Sequence, residues 1–216
     1  MRRLLQINLF LSSLLVLLAV SCSPVSGHRF VKFANITENE VRPVINKNNS
    51  LLFKAKIDLY SRHFSGLIIL KQIEPAVSRL TFVTEIGMKM FDYEITDNTF
   101  KLVYVFEPLN KPKILKLLEN DLKLILLQHL MNKPAAIYEN KAEIIYKVKN
   151  DFRYYYQATR PSSVIGNIIK KGPVFTKVKV NYNYADSVHI TRVRLKHKGF
   201  IRLTMELNTL DKSSQQ

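Results

Sequence analysis

The chain has 216 residues, with 33 Lys and Arg against 17 Asp and Glu, a formal charge of +16, one Cys, six Gly and no Trp. A single cysteine excludes an intrachain disulfide and a cysteine-based metal site. So few glycines, with no Gly-rich phosphate loop and no G-x-S-x-G elbow, exclude the common nucleotide-binding and hydrolase signatures.

The chain opens with Met1-Arg2-Arg3, an apolar run over 4–20 and then Ser21-Cys22-Ser23. A charged start, an apolar middle and a small-residue end predict an export signal over 1–21. The densest apolar stretch, 14–20, is far shorter than the roughly 20 residues that span a bilayer. Ala19-Val20-Ser21-Cys22 resembles the bacterial lipobox, which implies that Cys22 is acylated, becomes the mature N-terminus and anchors the protein to a membrane. Two or three acyl chains, at about 0.8 kcal/mol per buried methylene, hold a protein durably. Ser23, in place of Asp, resembles the residue that permits onward sorting, which implies the periplasmic face of the outer membrane.

Loss of Arg2 and Arg3 with the signal leaves 31 basic residues against 17 acidic ones, a charge of +14. Such a surface suits nucleic acid, but an exported chain meets anionic lipid headgroups instead, so no nucleic-acid partner is expected. Residues 22–49 read as the lipidated N-terminus and a tether with at most one short helix, and 50–210 as a single domain. The tail after 210 reads as frayed.

From Leu52 the period is two: Phe53, Ala55, Ile57 and Leu59 share one face of a half-buried strand. Further strands are predicted over 64–72, 79–86, 88–95 and 100–107, joined by short turns that favour a meander. Asp92 and Glu94 share a strand face that reads as solvated.

At Asn110-Lys111-Pro112 the period changes, with Asn110 as the predicted N-cap and Pro112 in the first turn. A helix follows to about Met131, and its stripe of Ile114, Leu117, Leu118, Leu122, Ile125 and Leu126 is widened by Leu115, Leu124 and Leu130. A stripe that broad must be inserted into something. Strands return over 142–148, 152–157, 164–170, 175–182, 187–196 and 200–207, the last with Ile201, Leu203, Met205 and Leu207 on one face. Tyr154-Tyr155-Tyr156 read either as interfacial rings or as straddling core and surface. The expected fold is mainly β in the α+β class: a curved antiparallel sheet, forming an incomplete barrel around one long apolar helix.

The segment from Phe64-Ser65-Gly66-Leu67 through Ile86-Gly87-Met88 to Leu126 resembles the lipoprotein-sorting family of LolA carriers and LolB receptors. The likeness implies a half-open barrel that shields a lipid or lipoprotein acyl chain. It also implies a delivery loop for passing the chain into a membrane, with Ile86 as the protruding apolar residue, followed by Gly87 and assisted by Met88 and Met90. Glu85 stands where the family has proline, and the family's tryptophans are absent. The competing reading makes Ile86 the last core residue of its strand.

Alternation puts Arg192, Arg194, Lys196 and Lys198 on one side of a strand. They read as a solvated outer face, or as a ledge against phosphates of a membrane or lipid cargo. The histidines, His28, His63, His129, His189 and His197, are scattered, so neither a metal centre nor a cofactor is expected. The leading expectation is a non-enzymatic envelope lipoprotein that binds a lipid or lipoprotein acyl chain. The alternative is a structural or interaction lipoprotein whose core is filled by its own side chains.

Overall fold

The computed structural model describes residues 23–38, 40–44, 50–96, 99–160, 162, 164–186 and 189–210. Within them run β1 (Arg29–Asn35), β2 (Leu51–Leu59), β3 (Arg62–Glu74), β4 (Val77–Thr84), β5 (Lys89–Ile95) and β6 (Phe100–Val105). A 3-10 turn at Glu107–Leu109 and the helix α1 (Pro112–Ile125) follow. Then come β7 (Pro134–Glu139), β8 (Glu143–Lys149), β9 (Arg153–Thr159), β10 (Val164–Lys171), β11 (Thr176–Tyr184), β12 (Ile190–His197) and β13 (Leu203–Thr209).

These thirteen strands form one antiparallel sheet in the order β1-β7-β8-β9-β10-β11-β12-β13-β2-β3-β4-β5-β6. β1 and β6 each have a single neighbour, so the sheet does not close. It is nevertheless strongly curved, because α1 and the turns after it touch strands far apart in that order. The Tyr182 hydroxyl on β11 donates to the Ile125 carbonyl at 2.7 Å. His197 on β12 meets Asp121 at 2.7 Å. On the other flank, Lys123 lies over the Phe100 ring of β6, and Gln128 donates to the Thr96 carbonyl after β5. The expected incomplete barrel around one apolar helix is what the chain forms.

The alternation read from 53–60 is kept: Phe53, Ala55, Ile57 and Leu59 are buried, and Lys54, Lys56 and Asp58 are exposed. Leu118, Leu122, Ile125, Leu126, Leu127 and Leu130 join Phe82, Phe91, Tyr93, Val193, Leu195 and Met205 in one core on the concave side.

Several expectations are corrected. Part of the stretch read as tether, 22–49, is β1, and Ile36, Val41 and Val44 behind it enter the core. β7 was not expected either, and β1 pairs with it along the whole edge. The helix ends at Ile125 rather than near Met131. Leu127 takes a positive φ of 61°, the Leu127 amide donates to the Leu124 carbonyl, and the Gln128 amide reaches back to that of Lys123, which closes the last turn. Asn110 is not the N-cap: Lys111 holds that place without a side-chain bond, and Asn110 faces Glu107. Phe200 and Ile201 precede β13 in a loop instead of opening the strand.

Antiparallel succession sorts the hairpin loops onto two rims. Loops 60–61, 85–88, 150–152, 172–175 and 198–202 lie at the first rim. The described residues of the β3–β4, β5–β6, β7–β8, β9–β10 and β11–β12 connections lie at the second. The N-terminal segment enters at the second rim, where Arg29 pairs with Glu139 and His28 meets Asn140 at 3.0 Å and Glu143 at 3.4 Å.

Candidate functional site

The concave side is filled by the protein's own leucines, and one cleft of about 870 Å³ opens beside that filling. Its walls are the β3–β4 hairpin, with Lys71, Ile73, Glu74 and Pro75, and the chain leaving α1, with Leu126, Gln128, Met131 and Asn132. Ile95 and Thr96 contribute from the end of β5, and Glu38, Pro43 and Ser50 from the segment between β1 and β2. The cleft exists because the helix stops at Ile125. A helix continued to Met131 would not turn Met131 and Asn132 aside. The volume lies within the range of small-molecule sites, while Glu38, Lys71, Gln72, Glu74, Gln128 and Asn132 make the lining more polar than such sites usually have. Sequence reasoning missed this cleft, since its shape depends on the left-handed Leu127 and on a hairpin distant in sequence.

Ile86 lies outside the core. β4 ends at Thr84, and the turn is drawn tight by the Gly87 amide donating to the Thr84 carbonyl and the Thr84 amide to that of Met88. Gly87 takes a φ of +82°, a conformation that glycine adopts without steric cost. Ile86 is 88% exposed and Met88 beside it 38%, whereas Met90 points into the core at 1% and takes no part in the loop. The basic stretch does line an outer face, but two of its members are paired: Glu206 on β13 binds Arg192 at 2.9 Å and Arg194 at 3.0 Å. Lys196 and Lys198 are exposed. Cys22 lies outside the described residues.

Two side-chain groups differ from their sequence readings. Tyr154, Tyr155 and Tyr156 are all buried and offer no interfacial rings. Asp92 is buried rather than solvated. The β4 register sets it opposite Thr81 and diagonal to Arg79, whose guanidinium binds it in fork geometry at 2.9 and 2.8 Å. The hydrogen bonds from Arg79 hold its carboxyl below the usual range against the opposing effect of burial.

Between α1 and β12 the Asp121–His197 pair is almost fully buried. Burial raises the Asp121 carboxyl, and His197 offsets part of that. The pair fastens the helix to the sheet. Nearby, His129 stacks on Tyr154 with centroids 5.0 Å apart. Burial first, then the positive charge of Lys170 and Lys123, push its imidazole down to about 4. Among the described residues no group of three His, Cys, Asp or Glu side chains is placed to hold a metal ion. No described helix is long and apolar enough to cross a membrane.

The depressed His129 predicts a pH dependence. The unfolded chain binds a proton near pH 6.5 that the folded chain refuses until about pH 4. This contribution to stability is therefore fully present above pH 6.5 and lost as pH falls towards 4, by up to about 3 kcal/mol. Urea midpoints across that window should fall more in the wild type than in His129→Leu. Parallel pH profiles would refute the assignment.

No protein family and no curated protein matches the sequence. Solved structures of similar outline include the following two. One is a LolA superfamily protein from Nitrosomonas europaea, at 6% identity and a TM-score of 0.45 over 75% of this chain and 83% of that one. The other, from Vibrio parahaemolyticus, is described as an outer membrane lipoprotein-sorting protein domain, at 9% identity and a TM-score of 0.35 over 76% and 84%. The strand ladder itself, rather than this overlap, defines the fold.

Proposed function

We propose that the protein is a non-enzymatic lipoprotein of the bacterial envelope that is held to a membrane through lipid on Cys22. It receives a lipid or lipoprotein acyl chain in the cleft between the β3–β4 hairpin and the end of α1. The observation that carries this reading is the cleft itself, which gives an otherwise filled half-barrel an opening where Ile73, Ile95, Leu126 and Met131 stand among polar side chains. Ile86, projecting from its turn with Gly87 and Met88, serves as the delivery loop. A second reading, an interaction lipoprotein with a self-filled core, is favoured by the burial of Leu118, Leu122, Leu127 and Leu130 where a larger chamber would otherwise lie.

A fluorescent fatty-acid probe separates the two. Met131→Glu places a carboxylate in the cleft, where desolvation opposes both burial and an apolar guest, and is expected to weaken probe binding about tenfold or more. Ile86→Glu is expected to leave the thermal melt and probe binding unchanged, because its site is exposed, while slowing release of the probe into vesicles. No saturable binding by the wild type would discard the carrier reading in favour of the self-filled one.

A further inference from the structure

The two rims differ in chemistry. Every loop of the first rim carries a large apolar side chain: Tyr60, Ile86 with Met88, Phe152, Val174 with Phe175, and Phe200 with Ile201. In the loops of the second rim no described residue is large and apolar.

Three of the apolar loops are neighbours, because their hairpins, β10–β11, β12–β13 and β2–β3, are consecutive in the sheet. They are also stitched together: the Lys198 amide donates to the Lys177 carbonyl at 2.8 Å, and the Tyr60 amide to the Arg202 carbonyl at 2.7 Å. Phe200 is fully exposed, and Phe175, Val174 and Tyr60 are exposed by 72, 70 and 60%. Tyr60 holds a positive φ of 55°, which a bulky residue adopts at a cost, and so a strained backbone presents this ring to solvent.

The charge around these tips is mostly positive. Arg62, Lys177, Lys198 and Arg202 are exposed beside them. Behind them the outer faces of β2, β11 and β12 carry Lys54, Lys56, Lys179, Arg194 and Lys196. The acids on that face, Asp58 and Glu206, are already engaged with His63 and with Arg192 and Arg194. Apolar and aromatic tips set in a cationic collar match a surface that is anionic at its boundary and apolar just beneath.

We infer that this edge, formed by Tyr60, Val174, Phe175, Phe200 and Ile201, docks on an anionic lipid surface, with the tips entering below the headgroups and the basic collar on the phosphates. The inference does not rest on the acyl-chain reading, since none of these residues lines the cleft. Because the chain enters at the opposite rim, the docked surface is a different one from the membrane that would hold lipid on Cys22.

The test uses the full chain with Cys22→Ser, which leaves it free of cysteine, and an environment-sensitive dye attached through Phe200→Cys. With phosphatidylglycerol-rich vesicles the dye emission is expected to shift to the blue, and with pure phosphatidylcholine vesicles much less so. A dye on Ala142→Cys, in a loop of the second rim, should not shift. Paired Lys198→Glu and Arg202→Glu changes should weaken the vesicle affinity about tenfold or more, as should raised salt. These positions are exposed, so the melt should be unchanged.

An unshifted dye at position 200 overturns the inference and leaves a protein partner for the exposed edge. So does an equal shift at position 142, which would report adhesion through another part of the chain. A shift at 200 that ignores both charge reversal and salt overturns the anionic part of the claim. Since residue 22 is Ser throughout, none of these outcomes depends on lipid attachment.

Discussion

Leu122→Ala is expected to lower unfolding stability by about 2–5 kcal/mol, with a fall in Tm of roughly 10 °C for a chain of this size. Leu122 is 1% exposed and sits at the middle of the filling that α1 contributes to the concave side. Its neighbours there are held from both flanks, since Asp121 is bonded to His197 on β12 and Lys123 lies over the Phe100 ring of β6. A site so restrained cannot collapse around a truncated side chain, which argues for the upper half of that range. An unmoved denaturant midpoint would place Leu122 outside the core.

Gly66→Ala is expected to be of similar size and to act through the backbone. A Cβ at Gly66 would stand 2.0 Å from the Val83 carbonyl oxygen and 2.7 Å from the Thr84 Cα, so strand atoms rather than a flexible side chain must yield. Gly66 lies opposite Thr84 and Ala55, and its displacement would open the β3–β4 ladder beside the Ile86 turn. A loss of about 3 kcal/mol or more is reasonable for overpacking against backbone. The check is a melt paired with amide exchange, in which the amides of β4 should lose protection before those of β12. Wild-type stability in Gly66→Ala would mean that the two strands are not so close.

Where one face of a strand meets the core, its sequence declared it: the alternation in 53–59 and in 203–207 places each side chain correctly. β1 was not legible because its residues Arg29–Asn35 lie on an exposed edge and alternate weakly, with Phe30, Val31 and Phe33 all facing solvent. The helix end was hidden for a different reason. Leu127 adopts the left-handed turn that usually calls for glycine, yet is buried, so the apolar stripe runs on past the true stop.

The exposed place of Ile86 could not be told from composition, since an isoleucine after a strand reads equally as core. Asp92 looked solvated because its partner Arg79 is remote in sequence and adjacent only through the β4–β5 register. The apolar edge was legible only in fragments, because assigning loops to a rim needs the strand order.

The entry of the chain at the second rim has a mechanical consequence. His28 is tied to the β7–β8 loop, and the residues before it are wound into turns by the Ser26 amide on the Ser23 carbonyl and the His28 amide on that of Val25. A pull between residue 23 and the first rim therefore reaches the sheet through β1 and runs along that strand, parallel to its length. The bonds of β1 to β7, spread over Arg29–Asn35, are then loaded in shear and share the force instead of parting one after another. An edge strand that adds little to the core thus becomes the element through which the domain resists being drawn off a surface.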